Sequence, residues 1–365
     1  MADKKEKKLM KGNEAFAQAA INAGCRYYFG YPITPQNEVP EFMSRELANY
    51  GGAFIQAESE LAAINMAYGA SAAGGRVLIT SSSPGIALMQ EGISLLSSVQ
   101  LPVVIINVMR GGPGIGSIQP AQADYDQVTR GGGNGDYHTI VYAPCSIQEA
   151  MDMIYKGFDI AEEYRNPVII AADGMLGQMM EPVAVPEPKA ALTEEEIAVK
   201  KPYALTGHKN KRERNAINSV WLKQELLEDY INEYWPKYEK AEKELPEWDS
   251  TNVEGADVVY VAYGSTSRIA LEAIDILAKE GIKVGIIRPK TLWPFPVEAF
   301  KEIGDSTKMV ISVELSQGQL INDVKLAVCG KYPVELINRV GGMLLDPDEV
   351  AEKTRKLLAK IGEVK

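Results

Sequence analysis

Near-continuous runs of apolar, largely β-branched residues recur through the first half of the chain and constrain its fold more than any other feature. They lie at Arg76–Thr80, Pro102–Met109 and Pro167–Ala172, with shorter runs at Arg26–Gly30 and Ala53–Gln56. Such runs are typical of strands buried on both faces of a parallel sheet. The intervening segments have the period and length of helices, at 13–23, 58–73, 85–98 and 146–165. This alternation predicts a doubly wound α/β domain.

Length and a change in composition divide the chain into three parts. Its 365 residues exceed the usual size of one domain. We expect the doubly wound domain over residues 1–190, a charged helical connector over 191–250 and a smaller α/β domain over 251–365. The smaller domain is expected to have strands at 257–263, 283–287 and 308–313, and Gly264–Ser267 is expected to cap a helix over Arg268–Glu280.

The connector contains a predicted amphipathic helix over Leu222–Trp235. Its apolar face is formed by Leu227, Tyr230, Ile231 and Tyr234. This face packs either on the chain's own first domain or on a partner subunit, and the sequence leaves both alternatives open.

Charge and hydropathy exclude several classes of protein. The net charge of -11 argues against non-specific binding to nucleic acid, which requires a surplus of Lys and Arg. No apolar run reaches the roughly 18 residues that span a bilayer. Residues 1–10 are charged without a following apolar core, so we expect a short solvated leader rather than a secretory signal, and a cytoplasmic protein.

The cysteines and histidines give no pattern for a metal or cluster site. Cys25, Cys145 and Cys329 are far apart, and none belongs to a C-x-x-C pair. Only His138 and His208 accompany them, so we expect no metal bound by this chain. Each cysteine is expected to be a small buried hydrophobe.

A proline-flanked threonine follows the first predicted strand. Pro32 and Pro35 bracket Ile33 and Thr34 and favour extended geometry there. A hydroxyl at the carboxyl edge of a parallel sheet lies where such folds bind ligands. The alternative is that Thr34 only N-caps a helix beginning at Pro35.

Two carboxylates follow the second predicted strand. Glu58 and Glu60 are expected in the first turn of a helix, where the helix dipole favours negative charge. That is a complete structural explanation. However, the apolar run Leu61–Ile64 follows at once, so one carboxylate is expected to face an apolar interior, where it needs a partner.

An arginine and then a glycine-rich loop follow the most apolar predicted strand. Arg110 is suited to bidentate recognition of a carboxylate, and the loop over 111–116 allows close approach of the backbone. A surface turn is the alternative. The turn Thr80–Gly85, which contains Ser83, could donate backbone N–H groups to the same crevice or simply cap a helix. It lacks the G-x-S-x-G pattern of a serine hydrolase.

Together these segments resemble the alpha-type subunit of the 2-oxoacid:ferredoxin oxidoreductases. The resemblance is carried by Tyr31–Pro35, Gln56–Glu58, Thr80–Gly85 and the Arg110 loop, in that order. It continues through Tyr263–Thr266 and Arg288–Pro296, which resemble a transketolase C-terminal-type domain. The implied fold is a thiamine pyrimidine-binding domain followed by a smaller transketolase C-terminal-like domain.

The resemblance also implies roles for residues. Glu58 would contact the thiamine pyrimidine, and Thr34 and Arg110 would lie at the substrate carboxylate. Pro32, Ile33 and Ser83 would line the cofactor site.

The resemblance implies an inter-subunit enzyme. A beta-type subunit would hold the diphosphate of thiamine diphosphate through Mg²⁺, and gamma- and delta-type subunits would carry iron–sulfur clusters that reduce ferredoxin. The substrates would be a 2-oxoacid and coenzyme A. The G-D-G motif of thiamine enzymes is absent here, so Asp136 and Asp173 are not assigned to the metal.

The substrate is less constrained than the class. The segments Gly131–Asp136 and Asn215–Ser219 look most like the branched-chain members, which act on 3-methyl-2-oxobutanoate. The 2-oxoglutarate members are the alternative; Arg130 could then bind the second carboxylate, or it could be a solvated side chain. A subunit of a lipoamide-linked dehydrogenase and a non-catalytic structural partner are also kept as alternatives.

Overall fold

The computed structural model describes residues 7–208, 210 and 212–363, and a sheet of seven strands forms its larger half. The strands are β2 (Tyr27–Gly30), β3 (Ala53–Gln56), β4 (Val77–Ser81), β5 (Val104–Met109), β6 (Ile140–Tyr142), β7 (Val168–Asp173) and β12 (Thr291–Trp293). Their order in the sheet is β12-β6-β7-β5-β4-β2-β3. All neighbours are parallel except β12, which runs antiparallel to β6.

The apolar sequences of the central strands match their burial in this sheet. Every residue of β4, β5 and β7 is buried, because helices cover both faces of the sheet. The edge strand β3 is largely exposed. The helices of this half are α1 (Gly12–Asn22), α2 (Glu38–Glu46), α3 (Glu60–Ala72), α4 (Ser83–Ser98), α5 (Tyr125–Arg130), α6 (Ile147–Tyr164) and α7 (Gly174–Gln178), with a 3₁₀ turn at Leu47–Tyr50.

A second sheet of five strands forms the smaller half. The strands are β9 (Trp248–Thr251), β10 (Val258–Val261), β11 (Val284–Pro289), β13 (Met309–Glu314) and β14 (Val334–Asn338), and the helices are α11 (Gly264–Ala278), α12 (Leu320–Val328) and α13 (Pro347–Glu363), with a 3₁₀ turn at Val297–Glu302. The strand order is β14-β13-β10-β11-β9, and only β9 is antiparallel to its neighbour. The predicted fold class of two successive α/β units is confirmed.

Two expectations about element ends are wrong, one of them only in part. Gly264–Ser267 do not precede a helix; they are its first turn, and no side chain caps it. Residues 7–10 of the predicted leader belong to strand β1 (Lys7–Lys11), which pairs antiparallel with β8 (Met180–Ala184); Lys7, Lys8 and Leu9 are exposed as expected, but Met10 is buried. The rest of the predicted leader, residues 1–6, lies outside the described residues.

The connector packs on the chain's own first domain. It contains α8 (Glu194–Lys200), α9 (Gln224–Tyr234) and α10 (Pro236–Glu244). On the predicted apolar face, the Tyr230 hydroxyl donates to the Ser98 carbonyl at 2.8 Å and the Tyr234 hydroxyl donates to the Asp136 carbonyl at 3.0 Å. The domain boundaries remain a proposal, and two strands cross them: β9 belongs to the second sheet, and β12 pairs with the first.

The cysteines differ in exposure. Cys25 is buried as expected, whereas Cys145 is only half-buried and Cys329 is exposed, so the expectation is confirmed for Cys25 alone. Cys329 follows α12 as its C-cap residue and has a left-handed backbone conformation. In the described ranges, no group of three or more His, Cys, Asp or Glu residues could hold a metal ion. No described helix is long and apolar enough to cross a membrane.

A buried glutamine joins the two sheets at the edge where their strands end. Gln122 Nε2 donates to the Tyr263 carbonyl at 2.9 Å, and its Oε1 accepts from the Thr266 hydroxyl at 2.9 Å and from Leu315 N at 3.1 Å. All four residues are at most 1% exposed. The glutamine therefore fixes the second unit relative to the segment that follows the Arg110 loop.

Gln122→Ala is expected to lower the stability of the chain by about 3 kcal/mol, because buried polar groups left without partners cost about 1–3 kcal/mol each. A urea-unfolding midpoint measured by far-UV circular dichroism tests this. Gln119→Ala is the matched control, because Gln119 is exposed and its side chain makes no hydrogen bond among the described residues. Equal midpoints for the two variants would contradict the role of Gln122.

Candidate active site

Four loops meet at one edge of the seven-stranded sheet. They follow β2, β3, β4 and β5, which are neighbours in the order β5-β4-β2-β3 and run parallel. Their carboxyl ends therefore lie side by side, as is typical of ligand sites in open α/β sheets. The four segments predicted to carry the chemistry are these loops.

The threonine of the first loop does not cap a helix. Helix α2 begins at Glu38 with Asn37 as its N-cap, so the alternative that Thr34 caps a helix beginning at Pro35 is wrong. The Thr34 side chain is exposed, as is Pro32, while Ile33 is half-buried. The loop is fixed by Gln36, whose Nε2 donates to the Tyr31 carbonyl at 3.2 Å.

Arg110 and Thr34 are brought together across 76 residues of sequence. One terminal nitrogen of the guanidinium donates to the Thr34 carbonyl at 2.8 Å, and the other donates to the Ile115 carbonyl at 2.8 Å. Arg110 Nε is buried and has no hydrogen-bond partner among the described residues. Arg110 also forms no ion pair with any of them. The guanidinium is thus fixed by backbone carbonyls and keeps unused donors for an anion.

The glycine-rich loop that follows Arg110 lies against the second unit of the chain. A Cβ placed on Gly111 would be 2.8 Å from the Gly341 carbonyl carbon. A Cβ placed on Gly116, which has φ +60, would be 1.8 Å from the Gly111 carbonyl oxygen. Glycine is therefore required at both positions, because another backbone segment of the same chain lies too close to leave room for a side chain.

The two carboxylates of the second loop have different surroundings. Ser59 is the N-cap of α3, accepting from Ala62 N at 3.2 Å, so Glu58 precedes the helix and its expected place in the first turn is wrong. Glu60 is the buried carboxylate, 6% exposed and close to Gly85. Glu58 is exposed and makes no hydrogen bond with any described residue. It therefore remains available to a ligand at the sheet edge.

Ser83 is the first residue of α4 and contacts the backbone of Arg110. Its Oγ accepts from Arg110 N at 3.0 Å. Sequence reasoning did not identify Asp124, whose carboxylate oxygen lies 2.5 Å from the Ser83 hydroxyl. The sequence feature that could have identified Asp124 is the pair of polar residues Gln122 and Asp124, which stands just after the glycine-rich loop.

A cleft of about 930 Å³ opens beside these loops, between the two units of the chain. Its walls include apolar side chains and glycines, and none of its lining residues is basic. Clefts of this size at domain boundaries commonly bind small molecules. The first unit contributes Ser83, Pro84, Ala87, Leu88, Gly112, Pro113, Gly114, Ile115, Ala123, Asp124 and Gln127 to the lining. The second unit contributes Leu315, Ser316, Gln317, Gln319, Val340 and Gly341.

Comparison with protein families covers nearly the whole chain. Residues 18–251 match the family described as pyruvate flavodoxin/ferredoxin oxidoreductase, thiamine diphosphate-binding, and residues 256–350 match pyruvate:ferredoxin oxidoreductase core domain II. The chain belongs to the 2-oxoacid:ferredoxin oxidoreductase family. The resemblance seen in the sequence is thereby confirmed, as is the assignment of the chain to an oxidoreductase that works with partner subunits.

Three relatives within this family are similar over nearly their full length. The chain is 46% identical to ketoisovalerate oxidoreductase subunit VorB of Methanothermobacter marburgensis, over 96% of this chain and 97% of the relative. It is 44% identical to the same subunit of Methanothermobacter thermautotrophicus, with coverage of 96% and 97%. It is 35% identical to 2-oxoglutarate synthase subunit KorA of Methanocaldococcus jannaschii, with coverage of 94% and 97%.

Solved structures agree with the fold. The 2-oxoglutarate:ferredoxin oxidoreductase of Magnetococcus marinus, solved with 2-oxoglutarate, coenzyme A and succinyl-CoA, superimposes with a TM-score of 0.81 at 30% identity. That match covers 96% of this chain and 65% of the solved chain. A split-gene transketolase superimposes with a TM-score of 0.56 at 17% identity, over 96% of this chain and 98% of the other, and shows similarity of fold alone.

Proposed function

We propose that this chain is the alpha-type subunit of an oxidoreductase that converts a 2-oxoacid and coenzyme A into acyl-CoA and CO₂ while reducing ferredoxin. The observation that carries the proposal is the setting of Arg110. Its guanidinium is fixed beside Thr34 by two backbone carbonyls, while its buried Nε has no partner among the described residues. A buried cation in this setting suits a small carboxylate, which every 2-oxoacid has.

The sheet edge also fits the pyrimidine end of thiamine diphosphate. Glu58 is exposed there without a hydrogen-bond partner among the described residues, so its carboxylate can hydrogen-bond a ring nitrogen of the aminopyrimidine. Pro32, Ile33 and Ser83 would line the same site. When bound, thiamine diphosphate supplies the carbanion that attacks the oxo carbon and allows CO₂ to leave. This chain would hold a proton at the pyrimidine through Glu58 and orient the carboxylate through Arg110 and Thr34.

We assign the diphosphate and its Mg²⁺ to a beta-type subunit, and the iron–sulfur clusters to gamma- and delta-type subunits in a cytoplasmic complex. Exposed apolar side chains on the elements that border this edge support docking of a subunit there, because exposed apolar surface is typical of interaction sites. They include Tyr31 at 39% exposure, Ile55 at 44%, Leu61 at 49% and Leu88 at 59%. Such a subunit would close the site over the Glu58 carboxylate.

For the substrate we propose 3-methyl-2-oxobutanoate. The relatives named for ketoisovalerate are 46% and 44% identical, against 35% for the 2-oxoglutarate relative of Methanocaldococcus jannaschii. Binding of 2-oxoglutarate would require a further cation for its second carboxylate. Arg130, the residue considered for that purpose, is paired with Asp323 at 2.9 Å and with Asp126 at 3.4 Å.

The test is to co-express this chain with the subunits encoded beside it and to follow anaerobic reduction of ferredoxin or viologen. The assay supplies thiamine diphosphate, coenzyme A and a panel of 2-oxoacids. The expected result is the highest kcat/KM with 3-methyl-2-oxobutanoate and little turnover of 2-oxoglutarate. Preference for 2-oxoglutarate would overturn the substrate. Absence of turnover by an intact complex with filled clusters would overturn the proposed activity in favour of a lipoamide-linked or structural role.

A further inference from the structure

Asp124 is a carboxylate in an unusual setting for a residue at the start of a helix. It occupies the N-cap position of α5, yet its side chain makes no capping hydrogen bond. Instead, Asp124 Oδ2 accepts from the Ser83 hydroxyl at 2.5 Å and from Asn107 Nδ2 at 2.9 Å. It forms no ion pair with any residue in the described part of the chain. Helix capping therefore does not explain this carboxylate.

Ser83 connects Asp124 to the backbone of Arg110. Arg110 N donates to Ser83 Oγ at 3.0 Å. The single proton of the Ser83 hydroxyl has two acceptors in reach, Asp124 Oδ2 at 2.5 Å and the Arg110 carbonyl at 3.2 Å. The shorter contact to a charged acceptor is the stronger one. The chain of hydrogen bonds thus runs from Arg110 N to Ser83 and on to Asp124.

This arrangement does not stabilise the fold through its charge. Burial raises the pKa of Asp124, so the ionised carboxylate is disfavoured in the folded chain. A raised pKa contributes stability only below the folded pKa, and that contribution is lost as the pH rises through it. At neutral pH the ionised carboxylate therefore destabilises the folded chain. A carboxylate that lies in a cleft despite this destabilisation points to a functional role.

We propose that Asp124 and Ser83 are positioning residues that hold Arg110 in the orientation required to bind the carboxylate of the 2-oxoacid. The inference rests on the proposed function, because it assumes that Arg110 is the carboxylate-binding residue. The guanidinium is anchored at its tip by the Thr34 and Ile115 carbonyls, and Ser83 anchors the backbone from which it departs. Loss of Ser83 removes one of the contacts that fix this backbone, which also include the bridge from Arg110 to Pro120 and the Gly111 N–H bond to the Gln119 carbonyl at 2.9 Å.

The experiment compares Ser83→Ala and Asp124→Leu in the assembled complex. Binding of 3-methyl-2-oxobutanoate is measured calorimetrically with thiamine diphosphate omitted, so that no chemistry occurs. KM and kcat are then measured with thiamine diphosphate present. Both variants are expected to weaken binding and raise KM for the oxoacid about tenfold, the equivalent of one hydrogen bond to a charged group. KM for coenzyme A and kcat at saturating oxoacid should change less than KM for the oxoacid.

Two further variants separate positioning from general damage. Asp124→Asn keeps an oxygen acceptor for Ser83 and is expected to recover most of the affinity that Asp124→Leu loses. Asp126→Asn is the matched control, because Asp126 lies two residues away, half-buried, and faces Arg130 at 3.4 Å instead of Ser83. It is expected to leave oxoacid affinity unchanged.

The outcomes distinguish this inference from the proposed function. If the wild-type complex turns over no 2-oxoacid, the proposed function fails. If the wild type is active and both Ser83→Ala and Asp124→Leu bind the oxoacid within about twofold of it, a change too small for a lost hydrogen bond, the positioning role alone is overturned. A fall in kcat with unchanged oxoacid affinity would also overturn it. Should Asp124→Leu fail to assemble, Ser83→Ala, at the start of a helix lining the cleft, decides the question.

Discussion

Replacing Glu58 with glutamine in the assembled complex is expected to reduce kcat by about a hundredfold or more, which is the usual effect of losing a group that holds or moves a proton. Glutamine has nearly the same shape as glutamate but cannot carry the negative charge that stabilises a proton on the pyrimidine ring. The expectation depends on the location of Glu58, which is exposed at the sheet edge and has no hydrogen-bond partner among the described residues. Steady-state reduction of viologen with 3-methyl-2-oxobutanoate measures the effect.

Glu60→Gln is the matched control for this experiment. Glu60 is two residues away, but its side chain is 6% exposed and lies beside Gly85, whereas the side chain of Glu58 is exposed at the sheet edge. Its replacement is expected to change kcat much less than Glu58→Gln does. A Glu58→Gln complex with wild-type kcat would contradict the pyrimidine-binding role and favour a structural one. Equal losses in both variants would indicate damage to the start of α3 rather than loss of a proton-holding group.

The elements that could be predicted from sequence are those with both faces covered. Strands β4, β5 and β7 lie in the middle of the larger sheet, so their residues are apolar almost without interruption and the runs are visible by inspection. The strands that were missed, β1, β6, β8, β9, β12 and β14, are short or partly exposed and lack such a pattern. Strand β12 also pairs with β6 from far along the chain, and no local pattern encodes that pairing.

Only part of the candidate site could be predicted from the sequence, for a related reason. Thr34, Glu58 and Arg110 stand shortly after strands, and the shared edge of a parallel sheet brings such residues together. Helix α3 starts two residues after the predicted position because Ser59, a favourable N-cap residue, begins it. The contact between Ser83 and Asp124 joins residues 41 apart in sequence, so it depends on how the loops fold over the edge.

Arg110→Lys is expected to lower kcat/KM for the 2-oxoacid by about a hundredfold, mainly through KM, because breaking a buried charge-assisted pair costs about 2–5 kcal/mol. Lysine keeps the positive charge but has a single ammonium group. It cannot donate to the Thr34 and Ile115 carbonyls, each 2.8 Å from a different guanidinium nitrogen, and also present a planar pair of donors to a carboxylate. The variant therefore tests geometry rather than charge.

Arg130→Lys is the matched control for Arg110→Lys. Arg130 lies in the same half of the chain, but it is 43% exposed and already paired with Asp323. An exposed ion pair contributes little, so kcat/KM for every oxoacid in the panel is expected to stay within about twofold of wild type. If Arg130→Lys lowers kcat/KM for 2-oxoglutarate while Arg110→Lys has no effect on any oxoacid, the carboxylate site has been placed at the wrong arginine. A loss confined to Arg110→Lys, and shared by all oxoacids, supports recognition of the one carboxylate that they have in common.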